Sequence, residues 1–428
     1  MRCSRNLWRS LPPLSPMPDI VIIGGGAAGL LAAVTAAAQG KRVTVLERGE
    51  KLGKKLYITG KGRCNVTNLC TPDEFMQNMV RNPRFLYAAL NAFPPQKLVD
   101  LLRTLGCPTV VERGRRVFPA SQKASDVTRA LTRRMDELGV AVRLNARVQA
   151  IRTADGAVCG VTLEGGEEIA ADAVIVCTGG VSYPSTGSTG DGYQLLSACG
   201  HTIVPPKPAL CGLISEAQWI RDLQGLSLKN VRLTLTAGKK SLFSDIGEML
   251  FTHRGISGPL VLTASSLLAG RKGCRLTLDL KPGLNEEQLD QRVLRDIAAA
   301  GKKQMLTLLR GLYPESLAPV MAALADIDPQ LPACELPKAA RRRLVALTKA
   351  LPLPVTGAEP IEAAVITAGG ADVRGFSPST MESKHIRGLY AAGEVLDVDA
   401  LTGGFNLHIA FATAYAAASN AAKLTNEE

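Results

Sequence analysis

The fold is decided by a stretch near the start of the chain, IVIIGGGAAGLLAAVTAAAQGKRVTVLE (residues 20–47). The β-branched run at 20–23 predicts a strand, and the small residues up to about Gln39 predict a helix that Gly40 ends. A second apolar run, Val43–Leu46, predicts a strand that leads into the acidic Glu47. This order of strand, glycine turn, helix and strand predicts the first unit of a Rossmann-like dinucleotide-binding domain.

Each glycine of the turn has a role in this interpretation. Gly24 permits the tight turn, Gly26 lets the backbone approach a pyrophosphate, and Gly29 allows close packing of helix on strand. The first helical turn, which includes Ala28, directs amides and partial positive charge at the phosphates. Glu47 then accepts hydroxyl protons of an adenosine ribose. A glycine turn without a ligand is the alternative.

Two further strand ends and one helix start carry glycines. Because ligands dock at the carboxyl ends of parallel strands, the ends near 177 and 392 should join the same site. Glu394 is predicted to bind the ribityl hydroxyls of a flavin. The last, Ala-rich helix, which runs to about Lys423, would direct its N-terminus at the N1/C2=O edge of the ring and stabilise negative charge there. The cofactor residues predicted at these positions are Thr178, Gly179, Gly180, Gly393, Glu394, Gly403, Gly404, Phe405 and Asn406.

Positive charge is concentrated in one part of the chain. The protein has 428 residues with 50 Lys and Arg against 38 Asp and Glu, a net charge of +12. Residues 41–150 contain 21 of those cations and 9 of the acids, so this quarter of the chain carries the whole excess. One interpretation is a solvated face with some charge directed at a cofactor pyrophosphate. The other is a surface for a polyanion such as RNA, with salt-sensitive affinity.

The chain changes character after about His201, where Pro205, Pro206 and Pro208 predict a linker. Strand-like segments follow, residues 285–351 are mostly helical, and α/β character returns past Gly357. We predict a disordered leader at 1–16, an α/β domain at 17–202 and 359–428, an inserted β-rich domain at 203–284 and 352–358, and a helical subdomain at 285–351.

Four runs of sequence, in this order, resemble the BaiN/YhiN-type bacterial FAD-dependent oxidoreductases, a family often described as aminoacetone-oxidase-like. The runs are VIIGGGAAGL (21–30), GKKLYITGKGRCNVTN (53–68), FTHRGISGP (251–259) and GLYAAGEVLDVDALTGGFN (388–406). The resemblance covers the chain from Met17 onward. It implies a discontinuous, glutathione-reductase-like FAD domain with an inserted β-barrel-like domain and a helical subdomain. It also implies FAD rather than NAD at the glycine turn.

Two activities follow from the resemblance: reduction of a uridine in 23S ribosomal RNA to dihydrouridine, and reduction of a steroid C=C bond in bile-acid metabolism. Both saturate a bond conjugated to a carbonyl. The charge in 41–150 favours ribosomal RNA as the partner. A small-molecule enone reductase or amine oxidase, and a non-catalytic flavoprotein that binds ribosomal precursors, are the alternatives. No second complete GxGxxG unit is present, so NAD(P)H should be a transient reductant without a domain of its own. Further FAD contacts are predicted for Arg48, Lys54, Lys55, Gly62, Arg63, Cys64, Asn65 and Val148.

Hydride addition to a uracil or enone leaves an enolate, which requires a proton donor. The Cys64 thiol is the first candidate, with a small buried thiol beside FAD as the alternative. His253 and Arg254 would act only if the inserted domain folds over the flavin, and a structural turn histidine is the alternative for His253. Lys61 and Arg63 could bind a substrate carbonyl, a phosphate or the cofactor.

The remaining histidines have weaker assignments: His408 either lies near the flavin edge or caps its helix, and His201 and His385 are expected at the surface. No carboxylate–histidine cluster indicates a metal.

The cysteines and the N-terminus complete the prediction. The ten cysteines include no CxxC pair, so they support neither a zinc ribbon nor a thioredoxin-type site, and they fit reduced thiols in a cytosol. No apolar run is long enough for a transmembrane helix. Residues 1–16 lack the apolar segment of a secretory signal. As an alternative to a disordered leader, translation would begin at Met17. We expect a cytoplasmic protein without a membrane partner, and the oligomeric state stays open.

Overall fold

A computed structural model describes residues 19–268, 271 and 273–424, and the predicted leader at 1–16 lies outside them. The strands in this part of the chain are β1 (Asp19–Ile23), β2 (Arg42–Leu46), β3 (Thr67–Asn68), β4 (Met79–Arg81), β5 (Thr109–Glu112), β6 (Arg116–Pro119), β7 (Ala141–Arg143), β8 (Val148–Ala154), β9 (Ala157–Leu163), β10 (Glu168–Ala170), β11 (Ala173–Val176), β12 (Ile203–Ala209), β13 (Leu213–Ile214), β14 (Ser227–Ala237), β15 (Lys240–Thr252), β16 (Gly255–Ser257), β17 (Cys274–Asp279), β18 (Leu351–Leu353), β19 (Gly357–Ala358), β20 (Ile366–Ala371), β21 (Leu389–Ala391) and β22 (Asp399–Ala400). The helices are α1 (Ala27–Ala37), α2 (Lys54–Ile58), α3 (Pro72–Gln77), α4 (Pro83–Ala92), α5 (Pro95–Thr104), α6 (Ala124–Glu137), α7 (Asp191–Ala198), α8 (Gln218–Asp222), α9 (Pro259–Leu268), α10 (Glu286–Ala300), α11 (Met305–Leu312), α12 (Leu317–Leu324), α13 (Lys338–Lys349) and α14 (Phe405–Ala421).

A five-stranded parallel sheet forms the centre of the first part of the molecule, with strand order β21-β11-β1-β2-β7. All four residues of β11 are buried, as expected for a parallel strand covered on both faces. Because β21 follows β1 by more than 360 residues, the sheet is completed by the C-terminal part of the chain. The predicted α/β class with a Rossmann-like fold is confirmed.

Two strands that belong to different sheets lie between residues 141 and 154. β7 pairs in parallel with β2, whereas β8 forms an antiparallel hairpin with β9. Between them the chain bends along the end of β2, where Asn145 N donates to Gly49 O and Ala146 N donates to Glu47 O. Asn145 takes the left-handed conformation that this bend requires, with φ of 54°.

A seven-stranded antiparallel sheet forms the centre of the second part, with strand order β18-β17-β14-β15-β16-β13-β19. Its inner face and helices α10–α13 share one hydrophobic cluster, which is separate from the cluster around the parallel sheet. The domain boundaries remain a prediction. Within the described residues, no helix combines the length and the apolar character needed to cross a membrane.

Candidate active site

A cavity of about 1190 Å³ opens at the carboxyl ends of the parallel strands. The glycine turn after β1, the end of β11, the end of β21 and the start of α14 all contribute to its wall. Glu248, Pro259 and Leu262 line it from the side of the antiparallel sheet. The predicted cofactor residues that line this cavity are Gly24, Gly26, Ala28, Glu47, Arg48, Lys54, Lys55, Arg63, Asn65, Val148, Thr178, Gly179, Gly393, Glu394, Gly403, Gly404, Phe405 and Asn406.

The glycines of the β1–α1 turn differ in what surrounds them. Gly24 has a φ of +103°, and a Cβ there would lie 2.6 Å from Cys177 O. A Cβ on Gly29 would lie 1.9 Å from Gly24 O, so this position requires glycine for packing. A Cβ on Gly26 would meet no protein atom within 4 Å, although Gly26 lines the cavity. Gly26 therefore leaves its space to a ligand.

Glu47 is buried and held by the backbone. Its Oε2 accepts from Gly25 N and its Oε1 accepts from Gly49 N, both at 2.7 Å. Each carboxylate oxygen can accept a second hydrogen bond, so the side chain retains capacity for ligand hydroxyls. Beside it, Arg48 donates to Asp191 Oδ2 at 2.8 Å.

Glu394 connects several elements across the cavity. Lys55 Nζ lies 2.7 Å from Glu394 Oε2, and Ser182 Oγ donates to Oε1 at 3.0 Å. Thr367 N, on β20, also donates to Oε1 at 2.7 Å. A ligand hydroxyl at Glu394 would have to share this network.

The start of α14 presents free backbone donors to the cavity. Gly404 precedes the helix with a φ of +99°, and a Cβ there would lie 2.4 Å from Thr67 O. No side chain caps α14 here, nor α1 at Gly26, so both first turns present N–H groups and the positive ends of helix dipoles. The Phe405 ring packs on Phe75, with their centroids 5.0 Å apart.

Two polar atoms on cavity residues are buried without a partner in the described part of the chain, namely Asn65 Oδ1 and Thr178 Oγ1. Asn65 Oδ1 lies 2.8 Å from the place that a Gly404 Cβ would take. FAD carries phosphates for the two helix N-termini, hydroxyls for acidic side chains, and ring donors for an unpartnered acceptor. The residues present therefore fit FAD.

Asn68 is a residue that the sequence interpretation missed. Its buried Nδ2 donates to Gly114 O at 3.0 Å and to Gly403 O at 3.1 Å. It thereby joins the turn before β6 to the turn before α14. The only sequence signal was its position at the end of the run that starts at Gly53.

Four predicted cofactor residues do not belong to the cavity lining as the structure describes it, namely Gly29, Gly62, Cys64 and Gly180. The Cys64 side chain is fully buried, and burial raises the pKa of its thiol to about 12. This placement corresponds to the alternative of a buried, packed thiol. Gly180 packs on β20, where a Cβ would lie 2.3 Å from Thr367 Oγ1.

His253 and Arg254 are exposed in the turn between β15 and β16, and neither lines the cavity in the described structure. His408 is buried, with Nε2 3.0 Å from Phe93 O, so it neither caps α14 nor faces the cavity. His385 is exposed, as predicted. The expectation that His201 is a surface residue is wrong: it is buried against Phe376, with their ring centroids 4.3 Å apart.

A group of cations, here called the basic rim, borders the α14 side of the cavity. Its members come from the loop after α2 and from the turn between β5 and β6: Lys61, Arg63, Arg113, Arg115 and Arg116. All but Arg113 line the cavity. Two acids, Glu74 and Glu112, lie among them, so the rim retains a positive balance.

The parallel sheet, the glycine turn and the two uncapped helix N-termini on one cavity define a flavin-dependent oxidoreductase with a Rossmann-like FAD-binding fold. Residues 18–420 match the family described as HI0933-like protein Rossmann domain, and the chain belongs to this family.

Relatives with two different names match almost the whole chain. A 3-dehydro-bile acid delta(4,6)-reductase from Clostridium scindens is 32% identical over 95% of this chain and 100% of the relative. A ribosomal RNA dihydrouridine synthase from Haemophilus influenzae is 32% identical over 95% of this chain and 98% of the relative. Among solved structures, a 3-ketosteroid-delta4-(5alpha)-dehydrogenase from Rhodococcus jostii RHA1 shares the fold, with a TM-score of 0.53 and 16% identity, covering 95% of this chain and 97% of that chain.

Proposed function

We propose that the protein reduces uridine in 23S ribosomal RNA to dihydrouridine, with FAD as cofactor and NAD(P)H as reductant. The net reaction adds a hydride at C6 and a proton at C5 of the uracil C5=C6 bond, which is conjugated to the C4 carbonyl. The hydride comes from NAD(P)H, which is oxidised to NAD(P)+, and the proton comes from solvent. When bound and reduced, FAD supplies the hydride. A ribosomal RNA substrate would also place the protein in the cytoplasm.

The residues of the cavity wall have distinct tasks in this proposal. Glu47 would bind ribose hydroxyls, and the α1 N-terminus at Gly26 would bind phosphates. Asn65 and the α14 N-terminus would hold the ring, and that helix end would stabilise negative charge on it. Lys61 lines the same cavity and can bind a substrate carbonyl or phosphate.

The basic rim is the observation that supports RNA over a small substrate. Four of its cations line the cavity, so positive charge lies where a polynucleotide would have to approach. A base in folded RNA must also leave its stack to reach an enclosed site. An uncharged enone needs neither feature.

The test uses the FAD-loaded protein, NADPH, and ribosomal RNA from cells that lack the gene. We expect a mass gain of two hydrogen atoms in one 23S fragment, and no gain when NADPH is omitted. RNA that stays unmodified in the purified reaction and in cells with the restored gene would contradict the proposal.

A second candidate is the reduction of a small enone, since the bile-acid reductase is as similar to this chain as the ribosomal RNA enzyme. Anaerobic stopped-flow absorbance distinguishes the two. Fast reoxidation of the reduced flavin by a 3-oxo-4-ene steroid, with none by RNA, would favour this candidate. Turnover of aminoacetone with oxygen would indicate an amine oxidase. RNA binding that is indifferent to flavin reduction would indicate a non-catalytic protein.

The catalytic roles predicted for Cys64, His253 and Arg254 stay predictions that this proposal does not use, because none of the three lines the cavity in the described structure. Cys64 lies in the core and His253 lies in an exposed turn, so Cys64→Ala and His253→Ala test the two residues independently.

A further inference from the structure

Two segments that lie far apart in the sequence form the basic rim as one surface. Arg63 Nη1 donates to Glu112 Oε1 at 2.8 Å, and the Arg63 guanidinium lies 4.1 Å from the centroid of the Phe118 ring. Arg63 therefore joins the loop after α2 to the β5–β6 hairpin. Cations of both segments therefore line the same cavity, namely Lys61, Arg63, Arg115 and Arg116.

Most of the rim cations already have anionic partners. Arg115 Nη2 donates to Glu74 Oε1 at 2.9 Å. Arg116 also pairs with Glu112, with 3.9 Å between Arg116 Nη2 and Glu112 Oε2. These pairs reduce the charge that is available to a ligand.

Lys61 and Arg113 differ from the others. Both are exposed, and neither side chain has an ion pair or a hydrogen bond among the residues that the structure describes. A solvated cation without an internal partner can neutralise a ligand phosphate without first breaking a contact.

Asn68 fixes the backbone beside Arg113 relative to the cavity. Since its Nδ2 donates to both Gly114 O and Gly403 O, the residue next to Arg113 is tied to the turn that starts α14. A phosphate bound at Arg113 would therefore lie beside the end of the cavity where we place the flavin ring.

We infer that Lys61 and Arg113 form a docking site for backbone phosphates of single-stranded RNA that flank the nucleotide entering the cavity. The inference rests on the proposed function and deepens it by naming the surface that binds the polynucleotide. Sequence-independent phosphate contacts of this kind set register, while the cavity selects the base.

The experiment compares binding of a fluorescein-labelled oligouridylate to the FAD-loaded wild type and to the double variant Lys61→Gln/Arg113→Gln, by anisotropy over a salt series. The matched control is Lys338→Gln/Arg342→Gln on α13, which removes one lysine and one arginine that are equally exposed and unpaired in the described structure. For the rim variant we expect affinity at low salt to fall about tenfold, and the slope of log K against log salt to fall by about 1.4, or about 0.7 for each lost phosphate contact. The control variant should keep the wild-type affinity and slope.

Equal losses of oligouridylate affinity in both variants, or no loss of affinity in the rim variant, would overturn the docking site. Dihydrouridine formation is measured on the same samples, so the two proposals fail separately. Modification of RNA by the wild type together with unchanged binding by the rim variant refutes the docking site alone. If the wild type modifies no RNA, the proposed function fails whatever the binding shows. Flavin absorbance of each variant shows that it folds and binds FAD.

Discussion

One buried side chain, Asn68, connects the two turns that border the α14 side of the cavity. Replacing it with Asp removes both N–H donors and places carboxylate oxygens against the carbonyls of Gly114 and Gly403. Buried charge without a partner is costly, so we expect the unfolding free energy to fall by about 2–4 kcal/mol at neutral pH. Less should be lost in acid, where the carboxyl is protonated. Urea denaturation measures the change.

The control for Asn68→Asp is Asn145→Asp, which introduces the same charge at an exposed turn. It should change stability by less than about 0.5 kcal/mol. A pair of variants with equal stability would mean that Asn68 does not join the two turns.

Asp399 provides a test of pH dependence. It is 1% exposed, and burial outweighs the nearby Arg81 to raise the pKa of Asp399 to about 6. The unfolded chain ionises first, near pH 4, so this residue lowers the unfolding free energy as pH rises from about 4 to about 6 and adds nothing further above that. Between pH 4 and 6, the unfolding free energy of Asp399→Asn should therefore rise by up to about 3 kcal/mol relative to that of the wild type.

Denaturation profiles at several pH values check this expectation, with Asp155→Asn at an exposed turn as the control. Asp397 contributes in the same direction, since burial also raises its pKa, so the Asp399→Asn profile should retain some slope. If the profiles of Asp399→Asn and the wild type run parallel between pH 4 and 6, the expected contribution of Asp399 is contradicted.

At the level of elements, two glycines of the β1–α1 turn have different roles. Gly29 is required for packing within the protein, whereas Gly26 leaves space for the ligand. Gly26→Ala should change the stability of the FAD-free protein by less than about 1 kcal/mol, because its backbone is extended and its Cβ meets no protein atom. FAD affinity should fall at least about tenfold, since the methyl takes space at the helix N-terminus. Gly29→Ala should instead cost about 2–4 kcal/mol of stability, because its Cβ overlaps Gly24 O.

Flavin fluorescence titration and urea denaturation of both variants supply the two readouts. A Gly26→Ala protein that binds FAD as tightly as wild type would show that the phosphates lie elsewhere.

The β15–β16 turn contains His253, which the sequence predicts to be catalytic and which lies away from the cavity in the described structure. Because His253 is exposed and does not line the cavity in the described structure, His253→Ala should keep kcat within about twofold of wild type. A loss of tenfold or more would show that this turn closes over the cavity during turnover.

Elements with a strong local pattern could be predicted from the sequence, whereas contacts between distant segments could not. The βαβ unit and the strand end at Thr178 follow from glycines placed after apolar runs, and the structure brings them to one cavity. Nothing local shows that Asn68 reaches Gly403, or that Glu394 faces Lys55. Cys64 illustrates the same limit, because its burial depends on how its loop packs rather than on its neighbours in sequence.

At the scale of the whole molecule, two hydrophobic clusters divide the structure, and the cavity belongs mainly to the first. The parallel sheet and α14 pack in one cluster, while the antiparallel sheet and α10–α13 pack in the other. FAD would contact chain segments from both ends of the sequence, at β1–α1 and at α14. A ligand that binds only the folded state stabilises the unit it contacts, by about 2.7 kcal/mol at a hundred times Kd.

Hydrogen exchange with and without FAD should therefore show strong protection in residues 20–30, 59–68 and 403–410. Helices α10–α13 serve as the internal control, because within the described residues none of their side chains lines the cavity. If the clusters open separately, exchange in these helices should stay within about twofold, while the slowest amides of the parallel sheet slow by up to about a hundredfold. Equal protection of both clusters would mean that they unfold as one unit. Protection confined to 20–30, with none at 403–410, would exclude contact between FAD and the start of α14.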